Sequence, residues 1–88
     1  MKKMELIYLE WEDSRSTDGW FDAEDTDEYF DKSTIVKQVG WVYREDERNI
    51  CIVARLGEFM WNGTDDAAYG HIQKIPKTLI RTRKTLKI

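Results

Sequence analysis

The residues through which this 88-residue chain could do chemistry are four tryptophans, one histidine, one cysteine and two blocks of opposite charge. Residues 10–31 hold ten carboxylates and a single cation, Arg15. Residues 71–88 hold six Lys and Arg and no acid. The net charge of −3 therefore hides a division: one end repels phosphate and the other attracts it.

Catalysis finds little to work with. Asp22, Glu24, Asp25, Asp27, Glu28 and Asp31 are dense enough to suggest calcium. They miss the spacing of a calcium loop, however, and lack the glycine that the loop needs at its sixth position. They read as a solvated acidic face. His71 has no second histidine, and Cys51 is its only soft companion, so no zinc site is expected. A nucleophile needs a base and an orienting group; Ser14, Ser16 and Ser33 sit in loop composition without them. Paired carboxylates alone do not make acid–base chemistry, and no phosphate loop or dinucleotide fingerprint occurs. The expectation is a protein that is not an enzyme and uses no cofactor or metal.

Binding is better supported. In 80–88 (IRTRKTLKI), strict alternation puts Arg81, Arg83, Thr85 and Lys87 on one face of a strand. Cations at a two-residue interval stand roughly 6–7 Å apart, close to the spacing of successive phosphates. Trp11 and Trp20 flank a polar loop containing Arg15 and could stack a base. The expected ligand site is thus Trp11, Arg15, Trp20, Arg81 and Arg83, holding a small anionic ligand, a nucleotide by class. A charged last strand also protects a sheet edge from aggregation, which is the plainer reading of the same arginines. A second function class uses the acidic stretch instead. Trp20, Phe21, Tyr29 and Phe30 interleave with its carboxylates, and aromatics in such a field can anchor a protein interface. Single-stranded nucleic-acid binding is a third, opposed by the net negative charge.

The elements that must position these residues centre on 33–56 (STIVKQVGWVYREDERNICIVARL). Two runs of β-branched and aromatic residues flank a charged connection at 45–48, the pattern of an antiparallel hairpin. Ile35, Val39, Trp41 and Tyr43 share a face with Lys37; Ile50, Ile52, Ala54 and Leu56 share another, with Cys51 and Val53 opposite. Trp41 reads as core, and Gly40 as a bend or bulge. Residues 4–11 read as a first strand and 12–18 as a loop. A short helical turn follows over 22–30, capped by Asp22 and obliged to pack Tyr29 and Phe30 on the sheet. Asn62-Gly63 is a strong two-residue turn signal. Residues 67–75 read as a fourth strand, Pro76 to Leu79 as a 3₁₀ turn and 80–88 as a fifth strand. The fold class is mostly β: a small five-stranded SH3-like or OB-like barrel with one short acidic helical turn, in a single domain.

A chain of this size buries only about 60–65% of its unfolded surface. Its eleven aromatics can each bury roughly 150–250 Å², in a core or at a subunit boundary, and a homo-oligomer is expected. Cys51 reads as a small apolar side chain. No leader pattern opens the chain and no apolar run approaches the ~20 residues of a membrane span, so a cytoplasmic location without membrane contact is expected.

Trp11-Glu12-Asp13-Ser14, Gly19-Trp20, Val39-Gly40-Trp41-Val42, the Glu-Asp turn, Ile50 to Ala54, Lys74-Ile75-Pro76-Lys77 and Ile80, in that order, resemble a group of short bacteriophage-encoded proteins of uncharacterised function. The likeness covers most of the chain; the acidic insert at 22–31 and the basic tail after Ile80 depart from it. It brings no catalytic residues. It implies a phage accessory protein in a bacterial cytoplasm, acting against a host system, with sequestration of a nucleotide immune signal as one strategy and inhibition of a host protein as another.

Overall fold

The computed structural model describes residues 4–61 and 64–87. In chain order it contains β1 (Leu6–Asp13), α1 (Ala23–Asp31), β2 (Thr34–Glu45), β3 (Asn49–Trp61), β4 (Thr64–Pro76), a 3₁₀ turn (Lys77–Leu79) and β5 (Ile80–Thr85). The strands are antiparallel and form one sheet in the order β4-β3-β2-β1-β5. The mostly β class, the central hairpin and the short helix are as the sequence predicts. The fourth strand starts at Thr64 rather than 67, and the fifth ends at Thr85. β4 and β5 are the two edges and share no ladder, so the sheet is open and barrel closure is not seen. The Asn62-Gly63 turn signal lies outside the described residues. No described helix is long and apolar enough to cross a membrane.

The hairpin forms because its strands are β-branched and its turn is pinned. The Asp46 carboxylate accepts from the Arg48 and Asn49 amides, each at 2.8 Å, an Asx-type closure. Those two amides hold its carboxyl below the usual range.

Alternation builds the core. Ile7, Leu9 and Trp11 on β1 turn to one face and meet Ile50 and Ile52 of β3 and Ile75 of β4, with Val36, Val42 and Ile80 packed around them. The five aliphatic members are at most 2% exposed, and each contributes about 1.5–3 kcal/mol by leaving water. A polar relay crosses this face. The Trp11 indole N–H donates to Gln38 Oε1, and Gln38 Nε2 donates to Gln73 Oε1, both at 2.7 Å. Gly40 is fixed by crowding rather than by a bulge. A Cβ there would stand 3.2 Å from the Val53 carbonyl oxygen and 3.4 Å from Ile52 Cβ. The register irregularities fall elsewhere, at Glu10/Trp11 and Val42/Arg44, where extra residues bend the strands. Trp41, expected in the core, is instead half-buried on the opposite face, because it pairs with Val53 and not with Ile52.

Three residues join the two edge strands, so the sheet must coil until the end of β4 meets the start of β5. The Lys77 amide donates to the Arg48 carbonyl at 2.7 Å, tying this connector to the β2–β3 turn.

Candidate binding surface

The loop after β1 and the helix that follows carry the side chains most open to a partner. Helix α1 starts where Asp22 accepts from the Asp25 amide at 2.8 Å, and Glu24 and Asp25 occupy its first turn. Both features favour a helix N-terminus. Lys32 pairs with Glu28 at 2.8 Å near the other end, which lowers the Glu28 carboxyl. These local contacts hold a nine-residue helix that buries none of its residues.

Sequence reasoning expects Tyr29 and Phe30 to pack on the sheet, and they do not. Tyr29 lies under the Arg15 guanidinium, 4.4 Å from the ring centroid, a cation–π contact. Phe30 is 86% exposed. The helix is too acidic and too short to present an apolar stripe to the core, so its aromatics stay outside. At Gly19 the backbone takes φ +121°, a region that side chains rarely tolerate. The chain turns there and leaves Trp20 wholly exposed, with Phe21 53% exposed beside it. Arg15, Phe21, Asp25, Tyr29 and Lys32 line a cleft of ≈ 410 Å³ between loop and helix. A second, of ≈ 340 Å³, lies between the helix and the end of β1. Helix α1 therefore stands off the sheet, tethered by Ser33 Oγ donating to Glu12 at 3.1 Å.

The five residues expected to form one ligand site fall in three places: Trp11 in the core, Arg15 and Trp20 in the loop after β1, and Arg81 and Arg83 on β5. Trp11 is buried and its indole N–H is already bonded to Gln38, leaving no open face for stacking. Arg81 donates to Glu12 and to the Thr78 carbonyl. Arg83 makes a two-pronged contact with Glu45 at 3.0 Å and approaches Glu5 at 3.8 Å. Lys77 adds a 2.8 Å contact to Glu45, and hydrogen bonds from Arg83 and Lys77 pull the Glu45 carboxyl down to about 2. Both arginines are thus committed to carboxylates of the sheet. Arg15 and Trp20 share the loop after β1, and Arg15 lines a cleft with Glu12, the carboxylate that Arg81 binds.

Among the described residues, no ion pair reaches Glu24, Asp25, Asp27 or Asp31. Arg81 and Arg83 of the last strand spend their charge on Glu5, Glu12 and Glu45, and these four acids are left without an ion pair. The exposed pair of Trp20 and Phe30 was legible only as membership of an acidic stretch. Their exposure depends on where α1 sits, which no local signal encodes. Comparison with protein-family models, curated proteins and solved structures finds no match.

Proposed function

We infer that this is a non-enzymatic binding protein, built on a coiled SH3-like sheet, that inhibits or recruits a protein through its acidic, aromatic segment. The observation that carries this reading is the exposure of Trp20, Phe21 and Phe30 on a segment where Glu24, Asp25, Asp27 and Asp31 have no ion-pair partner among the described residues, Glu28 alone pairing with Lys32. Large aromatics left in water are the residue types that anchor interfaces. Unneutralised carboxylates around them favour a basic partner surface and speed encounter with it. The resemblance to phage proteins supports a host protein as the target, including one whose basic surface serves nucleic acid. Affinity capture from bacterial lysate should yield a stoichiometric basic protein, released by salt and lost on Trp20→Ala with Phe30→Ala. Undiminished capture by that double variant overturns the reading.

A second reading, sequestration of a small nucleotide, is favoured by the ≈ 410 Å³ cleft in which Arg15 and Tyr29 stack. The volume lies within the usual range for a small-molecule site, and Lys32 adds a second cation to its wall. Asp25 and Glu28 on the same wall weigh against an anion. Calorimetric titration with cyclic di- and oligonucleotides and ADP-ribose derivatives separates the two readings. Heat that disappears on Arg15→Ala supports the nucleotide, and no heat with any of them removes it.

A further inference from the structure

We propose that the outer face of β2, β3 and β4, at the root of a projecting two-stranded ribbon, is a self-association surface, and that its occupant is a second copy of this chain.

The ribbon is the first observation. β3 pairs with β2 only from Ile50 to Val53, yet its ladder with β4 continues to Trp61 opposite Thr64. Past Val53, among the described residues, β3 and β4 pair only with each other. Such a hairpin is marginally stable at best in water without something packed on it. The departure point is marked in the backbone. The ladder misses a step between Val53↔Ile72 and Arg55↔Gly70, where His71 takes φ +51°.

The sheet is apolar on both sides, which is the second observation. Ile52 and Val42 face the core. Their neighbours Val39, Trp41, Tyr43 and Val53 face the other way, joined by Tyr69 and Ile72. Tyr43 and Tyr69 meet edge to face at 4.7 Å, and with Cys51, Val53 and Ile72 they surround a dent of ≈ 210 Å³. Ile72 is 65% exposed and Val39 49%. Val53 is covered, at 1% exposure, but Ile35, Val39 and Ile72 stay open to water.

Surface area points to a copy of the same chain. The described structure exposes 7319 Å² at 10.5 kDa, whereas a compact monomer of that mass exposes about 5,400 Å². Its radius of gyration is 17.9 Å, against about 12 Å for a compact chain of this length. The excess surface is larger than the ~800 Å² per partner of a standard interface. Charge on this face is mixed: Lys37 of β2 stands opposite Glu10 of β1, and Arg44 of β2 and Lys74 of β4 stand opposite Cys51 of β3. The acidic helix follows the far end of β1 and precedes the start of β2. An isologous contact would bring the apolar residues of this one face against their own copies.

Sedimentation equilibrium and light scattering on the full chain test this. The wild type is expected at a multiple of 10.5 kDa. Ile72→Glu and, separately, Val39→Glu are expected to give the 10.5 kDa monomer with an unchanged circular dichroism spectrum; both sites are exposed, so folding survives. A wild type that stays monomeric at high micromolar concentration overturns the proposal, whatever else binds that face. So does an oligomer that both variants leave intact.

Discussion

Arg83 of β5 and Glu45 at the end of β2 are joined nitrogen to oxygen twice, both contacts at 3.0 Å, although β1 lies between their strands in the sheet. The pair is possible only because the sheet coils, and Lys77 from the edge connector completes it at 2.8 Å. Edge strand, connector and central turn thus meet on one carboxylate. Removing that carboxylate should loosen the coil. Glu45→Gln is expected to cost about 1 kcal/mol, since solvent screens a pair this exposed. That corresponds to a fall of about 4–8 °C in Tm for a domain of this size, read by thermal denaturation. An unchanged Tm would show that the trio decorates the coil and does not hold it.

The same carboxylate sets an acid limb. Its folded value of about 2 lies below the ordinary 4.5. A depressed carboxyl stabilises the fold fully above its unfolded value, and the contribution fades as pH falls through the folded one. Stability should therefore drop between about pH 5 and pH 2, and Glu45→Gln should flatten that limb. Parallel denaturation curves for wild type and variant across the window would contradict the assignment.

The relay from Trp11 through Gln38 to Gln73 predicts coupling. Gln38→Leu strands an indole donor and a glutamine oxygen inside the sheet, at about 1–3 kcal/mol. Gln73→Leu strands only one group. Since both variants break the same bond, the double variant should cost less than the sum of the singles. Chemical denaturation of the four proteins measures the shortfall, and strict additivity would rule out a connected relay.

Gly40→Ala tests crowding at the β2–β3 crossing. The added methyl meets a carbonyl oxygen at 3.2 Å and the Ile52 side chain at 3.4 Å. Backbone cannot step aside as a flexible side chain would, so a loss of about 1–3 kcal/mol is expected. Denaturant midpoints read it directly, and a neutral or stabilising result would refute the crowding argument.

Exposure of Trp20 before the helix and Phe30 within it predicts the reverse. Trp20→Ala with Phe30→Ala should leave stability within about 0.5 kcal/mol of wild type, whereas Ile52→Ala should cost about 2–5 kcal/mol. A large loss in the aromatic double variant would mean that α1 packs against the sheet after all.

Much of the scaffold was legible in residue order. Alternation of β-branched and apolar side chains marks β1, β2, β5 and the start of β3, because a pleated strand sends neighbours to opposite faces, whereas β4 alternates only loosely and begins at Thr64, before the pattern marks it. Asp46 marks the central turn and Asp22 the helix start, because a short carboxylate can bond backbone amides two or three residues on. What residue order determined was therefore local: strand, turn, cap, and the separation of acidic from basic ends. Tertiary structure alone decided which face of β2 became core, since Trp41 and Val42 are equally apolar and the β3 register chooses between them. It decided that Trp11 would be enclosed and Trp20 open, and that Arg81 and Arg83 would each meet carboxylates of the sheet. Those outcomes depend on how far the sheet coils and where it stops, which are set by contacts between residues as distant in sequence as Glu12 and Arg81.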